Sequence, residues 1–254
     1  MSRPAPRVSP ELLHVLKSLK LGRLAPTLPD RLVQAREASM PLEDVLLLVL
    51  RDEVQRRANM RVQNRSRQAG LSPTMVFEEW DSTAKVEYDR TLLAELQTLR
   101  FLDSGSHILI NGPVGVGKTM LGQAFARRAI ERGYSAIFTS AEDLFRRLRG
   151  SRLDDTHRAE MRRLARVNLL VIDDFALRAM TAEETMDMHE IVSARHRVAS
   201  MIMTSNRTPE EWLDQLADRL HAQALVDRFQ NNAFDLVVDG ESYRRRQKPG
   251  VHRA

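Results

Sequence analysis

Residues 112–119 read Gly-Pro-Val-Gly-Val-Gly-Lys-Thr and match the pattern glycine, any four residues, glycine, lysine, then serine or threonine. In a phosphate-binding P-loop, the glycines let the backbone curl so that successive N–H groups point at phosphate oxygens. The helix that follows adds the positive end of its dipole. Lys118 supplies a charge for the β and γ phosphates, and Thr119 supplies a hydroxyl for magnesium. The predicted phosphate-binding residues are Gly112, Pro113, Val114, Gly115, Val116, Gly117, Lys118 and Thr119.

The segments on either side of this stretch support a P-loop. Residues 107–110, His-Ile-Leu-Ile, indicate a short buried strand that runs into the loop. Residues 120–132 indicate a helix, with Leu121, Phe125 and Ala129 on one face. A glycine-rich turn with an incidental lysine is the alternative, and this context makes it the weaker interpretation.

Length and composition bound the class of protein. The 254 residues suit one α/β domain with a smaller appendage, and a hydrophobic content of 43% is enough for a packed core. The chain has no cysteine, which excludes disulfides and thiolate metal sites, and its seven histidines show no ligand spacing. Residues 1–9 lack the apolar segment of a signal peptide, and the longest aliphatic run covers only residues 45–50. We therefore expect a cytoplasmic protein that does not span a membrane.

The positive charge is concentrated at the start of the chain. Residues 1–70 hold 13 Lys and Arg against 7 Asp and Glu, whereas the remainder holds 26 against 27, for a net charge of +5. This distribution favours an anionic partner for the first segment, nucleic acid before membrane. Solvated charge on exposed helices is the alternative.

The first 70 residues predict a small helical module. Helices are predicted over residues 9–20 and 30–38, and a third is predicted from Pro41 onwards. The predicted buried stripe of the third helix consists of Leu42, Val45, Leu46 and Val49. Gly70-Leu-Ser-Pro73 marks the boundary, which predicts a DNA- or partner-binding module over residues 1–70 and a nucleotide-binding domain over residues 71–254.

The third helix is predicted to continue to Arg67 as a basic segment. Residues 51–67 hold six arginines and two acids, with only Val54, Ala58 and Val62 as an apolar seam. Arginine at this density suits phosphate contacts, although a solvated helix face is the alternative. The candidate DNA-binding residues are Arg51, Arg56, Arg57, Arg61, Arg65 and Arg67. A second basic stretch, residues 146–166, holds eight arginines and three acids, and exposure alone could also explain it.

Acidic side chains follow a second apolar strand. Residues 169–172, Leu-Leu-Val-Ile, lead into Asp173 and Asp174, which is the Walker B arrangement of a hydrophobic strand followed by acids. Asp173 is expected to hold Mg²⁺ through water, and Asp174 stands where a base can orient the attacking water. Residues 200–206 repeat the form and end in Asn206, which is expected to reach between Walker B and the γ phosphate.

The remaining pattern predicts the architecture. Further strands are predicted over residues 136–139 and 234–238, so five strands alternate with helices. Such alternation predicts a parallel sheet with its ligand at the carboxyl ends of the strands. Near the start of the second predicted domain, Phe77 and Trp80 could flank an adenine, but core packing is the favoured role for both.

The P-loop, Leu169-Leu-Val-Ile-Asp-Asp-Phe175, Thr204-Ser-Asn206, Asp227-Arg-Phe229 and Gly240-Glu-Ser-Tyr-Arg244 occur here in one ordered set. Together they resemble IstB, the family of transposition helper ATPases of bacterial insertion sequences, which is close to the DnaC helicase loaders. The resemblance covers essentially the whole chain, including the helical module.

The resemblance implies an α/β AAA+ P-loop ATPase domain over residues 71–254, with a five-stranded parallel sheet. It further implies self-assembly into a homo-oligomer on duplex DNA, ATP hydrolysis between subunits with Mg²⁺, and partnership with a DDE-type transposase. By position, Asn206 is sensor 1, Arg228 is the arginine finger and Arg244 is sensor 2. Asp174 stands where most AAA+ proteins have glutamate, and only ten residues follow Arg244, so no C-terminal helical lid is expected.

Three alternatives stay open at this point. A helicase loader shares the ATPase motifs, and its N-terminal helices would bind a replicative helicase. A metabolite kinase also uses a P-loop, but it needs an acceptor pocket and usually an arginine-bearing lid, and the sequence indicates neither. A DNA-binding module with a silent nucleotide site would show no DNA-stimulated phosphate release.

Overall fold

The computed structural model describes residues 8–81 and 85–243 of the chain, which divides into two compact units between Asn64 and Arg65. The helices are α1 (Pro10–Ser18), α2 (Leu28–Glu37), α3 (Leu42–Gln68), α4 (Arg90–Leu96), α5 (Lys118–Glu131), α6 (Ala141–Leu153), α7 (His157–Arg166), α8 (Ala182–Arg195), α9 (Pro209–Trp212) and α10 (Arg219–Gln230). The strands are β1 (Val86–Tyr88), β2 (His107–Asn111), β3 (Ala136–Ser140), β4 (Leu169–Asp173), β5 (Ser200–Ser205) and β6 (Ala233–Gly240). Short 3₁₀ turns occur at Gly22–Leu24, Phe77–Glu79 and Arg100–Leu102.

The first unit contains the predicted helices. The Ser9 hydroxyl caps α1 by accepting a hydrogen bond from the Leu12 N–H at 3.1 Å, and Pro10 occupies the first turn, where its missing N–H costs nothing. The small core of this unit consists of Leu16, Leu24 and Leu28. A bidentate ion pair between Arg31 and Asp52, with contacts of 2.7 and 3.0 Å, joins α2 to α3.

The predicted buried stripe of α3 is wrong. Leu42 is 85% exposed and Leu46 is 64% exposed, whereas Val45 and Val49 are half-buried. Val54, which belongs to the predicted apolar seam further along α3, is also exposed. Apolar spacing shows which side of a helix could be buried, but α1 and α2 are short and leave much of this long helix uncovered.

The second unit is built on a six-stranded sheet in the order β1-β6-β2-β5-β4-β3. The five strands from β6 to β3 are parallel, as the sequence predicts. The sixth strand, β1, was not predicted and pairs antiparallel with β6 at one edge. Every residue of β4 and β5 is buried, which explains their continuous apolar sequences, because parallel strands are covered on both faces.

The order of the strands determines where a ligand can bind. The chain enters the sheet's parallel part at β2, between β6 and β5, and moves outward to β3 and back through β4. Such a point of reversal opens a crevice outside the carboxyl ends of the strands. Helix α5, which follows β2, packs Leu121, Phe125 and Ala129 into the core with no exposed surface, as predicted.

Candidate nucleotide-binding site

The loop between β2 and α5 has a backbone conformation that requires glycine. Gly112 and Gly117 have φ angles of 151° and 104°, in the region that side chains rarely adopt. A Cβ atom on Gly112 would overlap the carbonyl oxygen of Val238, and one on Gly117 would lie 2.6 Å from Cζ3 of Trp80. The glycine spacing therefore reflects both the curl of the loop and the close approach of its neighbours.

Lys118 begins α5 and is folded back along the loop. Its side chain is buried, and its ammonium group donates to the carbonyl oxygens of Gly112 at 2.7 Å and Pro113 at 2.8 Å. Gly117 precedes it as the residue that caps α5. The loop therefore wraps around the lysine, with the start of a 14-residue helix directed at the same place.

Asp173 ends β4 and faces the P-loop helix. Burial raises the pKa of its carboxyl group, while hydrogen bonds from the Thr204 and Thr119 hydroxyls and the charge of Lys118 lower it. The hydroxyl of Thr119 and the carboxylate of Asp173 are hard oxygen donors, which is the chemistry that Mg²⁺ prefers beside phosphate oxygens. No group of three His, Cys, Asp or Glu side chains suited to a metal occurs among the residues that the structure describes. The donor set thus fits an ion held partly by a nucleotide.

Thr204 is a site residue that the sequence reasoning missed. Its hydroxyl donates to the Asp173 carboxylate and accepts the backbone N–H of Asp174 at 3.0 Å. The neighbouring position of β4 and β5 in the sheet brings them together, with Ile172 paired to Met203. A threonine directly after the apolar run Met-Ile-Met of β5 is the signal that could have found it, since a buried hydroxyl needs a partner.

Asp174 and Asn206 lie just beyond the ends of β4 and β5, at the same edge of the sheet as the P-loop. Both side chains are exposed. Asp174 has a left-handed φ of 55°, a conformation that aspartate tolerates better than most residues. The structure therefore brings the predicted Walker A, Walker B and sensor 1 positions to one edge, while their roles stay predictions.

Two further elements contact the P-loop. The indole of Trp80 packs on Gly117 and donates from Nε1 to the Tyr88 hydroxyl at 3.0 Å. The N–H of Tyr243 donates to the carbonyl oxygen of Gly115 at 2.9 Å. Phe77 packs edge-on against Phe125, with ring centroids 4.9 Å apart, which confirms core packing for this aromatic.

The predicted arginine finger lies on a different part of the second unit. Arg228, on α10, is exposed and contacts α8, where its guanidinium lies 3.0 Å from Nε2 of His189 and donates to the Ser193 hydroxyl. Asp227 accepts instead from Asn231, so these neighbours form no ion pair in the part of the chain described. The predicted sensor 2 residue, Arg244, falls outside the described residues.

The six candidate DNA-binding arginines of α3 differ in their contacts. Arg56 and Arg57 both donate to the buried carboxylate of Glu53, and the hydrogen bond from Arg56 is the main cause of a Glu53 pKa lowered to about 2. Arg65 donates to the carbonyl oxygen of Gly133 at 3.4 Å. The other three candidates, Arg51, Arg61 and Arg67, are exposed and form no hydrogen bond or ion pair within the described ranges.

Comparison with known proteins identifies the family. The family model of the IstB-like ATP binding protein matches residues 14–250. An ATP-binding protein of an insertion sequence from Mycobacterium tuberculosis is 34% identical over 242 residues, which cover 95% of this chain and 96% of that protein. The IS21 ATP-binding protein of Pseudomonas aeruginosa is 28% identical over 238 residues, covering 94% and 90%.

A solved structure shows the same ATPase fold. The replication initiator DnaA bound to AMPPCP and single-stranded DNA matches this chain with a TM-score of 0.56 and a sequence identity of 25%. The match covers 67% of this chain and 51% of the DnaA chain. None of the described helices has the length and apolar composition needed to cross a bilayer. The chain has an AAA+ P-loop fold and belongs to the IstB-like ATP-binding protein family.

Proposed function

We propose that this ATPase is a transposition helper that assembles on duplex DNA, hydrolyses ATP between subunits and directs a cognate DDE-type transposase. The arrangement of Lys118, Asp173 and Thr119 at the carboxyl edge of the sheet carries the ATPase part of the proposal. The relatives are ATP-binding proteins of insertion sequences, which supports the transposition part. In this proposal residues 71–254 form the ATPase domain, and residues 1–70 form the module that binds DNA or the transposase.

Each site residue has a proposed role in hydrolysis. Lys118 and the loop N–H groups bind the β and γ phosphates, and Thr119 with Asp173 would hold Mg²⁺, which neutralises phosphate charge when bound. Asp174 accepts a proton from the attacking water, and Asn206 orients that water beside the γ phosphate. Arg228 acts on the nucleotide of a neighbouring subunit, and Arg244 acts on the nucleotide of its own.

Phosphate release tests the proposal most directly. We expect duplex DNA to stimulate ATP turnover by the full chain, and we expect the chain with ATP to stimulate strand transfer by its cognate transposase. A helicase loader would instead bind a replicative hexameric helicase and leave strand transfer unchanged. DNA-independent turnover, or no turnover at all, would contradict the proposal.

Mixed assemblies test the role of Arg228. Arg228→Ala subunits can bind ATP, and Lys118→Ala subunits, which lack the phosphate contact, still carry Arg228. If Arg228 acts across an interface, mixing the two inactive variants should restore some ATP turnover, because one subunit binds ATP and its neighbour supplies the arginine. Removing such an arginine costs about three to five decades in turnover where the effect is fullest, so the recovery should be easy to measure. No recovery in mixtures shown to co-assemble would mean that Arg228 acts within its own chain or not at all.

A further inference from the structure

A second concave site lies at the opposite edge of the sheet from the P-loop. A cavity of about 630 Å³ is lined by residues around the starts of β3 and β4, among them Tyr134, Ser135 and Asn168. The P-loop follows the end of β2, which runs parallel to these strands within the sheet. The cavity therefore cannot be part of the nucleotide site, and its volume falls within the range of about 300–1,000 Å³ typical of ligand sites.

The cavity joins the two basic stretches of the sequence. Arg65 comes from the basic end of α3, whereas Arg163 and Arg166 come from α7, about a hundred residues later, and all three line the cavity. Their side chains are exposed. In the sequence the two stretches are far apart, and exposure to solvent alone could explain each of them. The fold brings them to one place.

The charge of this cavity is only partly neutralised. Arg163 forms a bidentate pair with Glu160, at 2.8 and 2.9 Å, so its charge is offset. Arg166 forms no ion pair within residues 8–81 and 85–243, and Arg65 donates only to a backbone carbonyl. No carboxylate occurs among the described residues that line the cavity.

A buried arginine adds to the positive charge beneath the cavity. Arg195 has no exposed surface, and its guanidinium donates to the backbone carbonyls of Leu164, Ala165, Asn168 and Ser200. Within the described part of the chain it forms no ion pair, and burial lowers its pKa only to about 10, so it stays charged at neutral pH. This charge offsets the negative end of α7, whose last residue is Arg166.

The hydroxyl groups of the cavity are already paired. The Tyr134 hydroxyl donates to Asp103, and the hydroxyl and N–H of Ser135 donate to the side-chain oxygen of Asn168. The side-chain donors that remain are the amides of Gln68 and Asn168 and the exposed guanidinium groups. Guanidinium groups bind anions with several oxygens through paired hydrogen bonds. The chemistry of the cavity therefore fits a phosphate group rather than a neutral ligand.

We propose that this cavity, bounded by Arg65, Arg163 and Arg166, binds a backbone phosphate of duplex DNA. The inference rests on the proposed function, because it assigns a DNA contact to the ATPase unit. Arg65 and Arg166 bring charge that no carboxylate offsets from distant parts of the chain to one place, where a single phosphate can contact both. Sequence preference is not expected from such a contact, since phosphate contacts position a protein without reading bases.

The test compares two double variants of the full chain for binding to duplex DNA over a range of salt concentrations. Arg65→Gln with Arg166→Gln removes two charges from the cavity. Arg158→Gln with Arg162→Gln removes two exposed charges from α7 that do not line it. The cavity is proposed to hold one phosphate, so losing that contact should reduce the log–log salt slope of the cavity variant by about 0.9, and the control should lose much less. ATP affinity should be unchanged in both.

The possible results separate the proposed phosphate site in the cavity from the proposed DNA-dependent function of the whole chain. If the parent chain binds duplex DNA and both double variants lose the same slope, the charge acts diffusely and the cavity is not a phosphate site. If the slope of the cavity variant equals that of the parent, the inference is wrong while DNA binding stands. If the parent chain binds no duplex DNA, both proposals fail. A second mononucleotide that binds each parent chain besides the one at the P-loop, and that the cavity variant does not bind, would replace DNA by a small phosphate ligand if duplex binding is equal in both.

Discussion

At the carboxyl edge of the sheet, buried Lys118, Asp173 and Thr204 contact one another or the P-loop, whereas at the amino edge buried His107 and Arg195 contact the backbone. Both sets are polar groups removed from water, so burial alone does not distinguish them. Their partners do. At the carboxyl edge, side chains converge on a place that a phosphate can enter. At the amino edge, Arg195 donates to strand and helix carbonyls and His107 accepts a backbone N–H.

This difference predicts that the two edges can be separated by mutation. Substitutions at the carboxyl edge should reduce turnover and leave the free energy of unfolding nearly unchanged. Substitutions at the amino edge should reduce the free energy of unfolding and leave the turnover of each folded molecule nearly unchanged. The comparison fails if both kinds of substitution change both quantities together.

Among the substitutions that compare the two edges, the largest effect is expected for Asp174→Asn at the carboxyl edge. The amide keeps the shape of the side chain but cannot accept a proton, so turnover should fall by about 10²- to 10⁴-fold. ATP affinity and the melting temperature should be unchanged, because the side chain is exposed. Steady-state phosphate release, with thermal unfolding in parallel, measures this. Turnover within a factor of about two of the parent would rule out Asp174 as the base.

At the amino edge, Arg195→Met should destabilise the chain by about 3 kcal/mol or more, because it removes the hydrogen bonds that the buried guanidinium donates to backbone carbonyl oxygens. Methionine retains an unbranched apolar stem, so the loss reports the guanidinium. The matched control is Arg162→Met on α7, an exposed position where a change within about 0.5 kcal/mol is expected. Urea unfolding of both variants is the measurement, and equal stability would refute a structural role for Arg195.

His107 predicts how stability depends on pH. Burial lowers its pKa to about 4, the charges of Arg195 and His196 contribute further, and its Nδ1 accepts the N–H of Met201 at 3.2 Å. Between pH 6.5 and pH 4 the unfolded chain therefore binds a proton that the folded chain does not. Stability from this group is fully present above pH 6.5 and should fall by about 3 kcal/mol as the pH approaches 4.

The control for this prediction is His107→Asn, whose side-chain oxygen can accept the same N–H but does not titrate. Its overall stability should be lower because the ring stacked on Phe229 is lost. Its stability should nevertheless vary less than that of the parent between pH 6.5 and pH 4. Equal pH dependence in parent and variant would assign the acid sensitivity to other groups.

The sequence predicts the carboxyl edge far better than the rest of the molecule. The P-loop and the five parallel strands depend on local patterns: glycine spacing, and apolar runs that end in polar residues. Strand β1 has only three residues, Val86–Tyr88, and its conformation depends on pairing with β6, about 150 residues later. Leu42 and Leu46 have the spacing of a buried stripe, yet spacing does not reveal what covers a helix.

The same limit applies to the polar groups that the sequence missed. Thr204 acquires its partners because β5 lies beside β4, and Arg195 because α8 ends beside α7 and the start of β5. Both depend on which elements become neighbours, and no local pattern encodes that. Arg228 and Arg244 stay predictions, since their roles depend on an assembled neighbour or on residues beyond those described.

The smallest expected effect, and the sharpest test of the carboxyl edge, is Thr204→Val. Valine has nearly the same shape but neither donates to Asp173 nor accepts the N–H of Asp174. We expect turnover to fall by about tenfold, which corresponds to about 1.4 kcal/mol and to the loss of one hydrogen bond to a charged group.

A pH profile of Thr204→Val separates positioning from simple packing. The hydrogen bond from Thr204 lowers the pKa of Asp173 against the effect of burial, so its loss should raise that pKa and move the acid limb of turnover to higher pH. Thr204→Ser retains the hydroxyl and should restore both the rate and the acid limb, even though it removes a methyl group from a buried position. If Thr204→Ser is as slow as Thr204→Val, the methyl group is what matters. Thr204 would then resemble the buried groups of the amino edge, and the contrast between the two edges would not hold at this position.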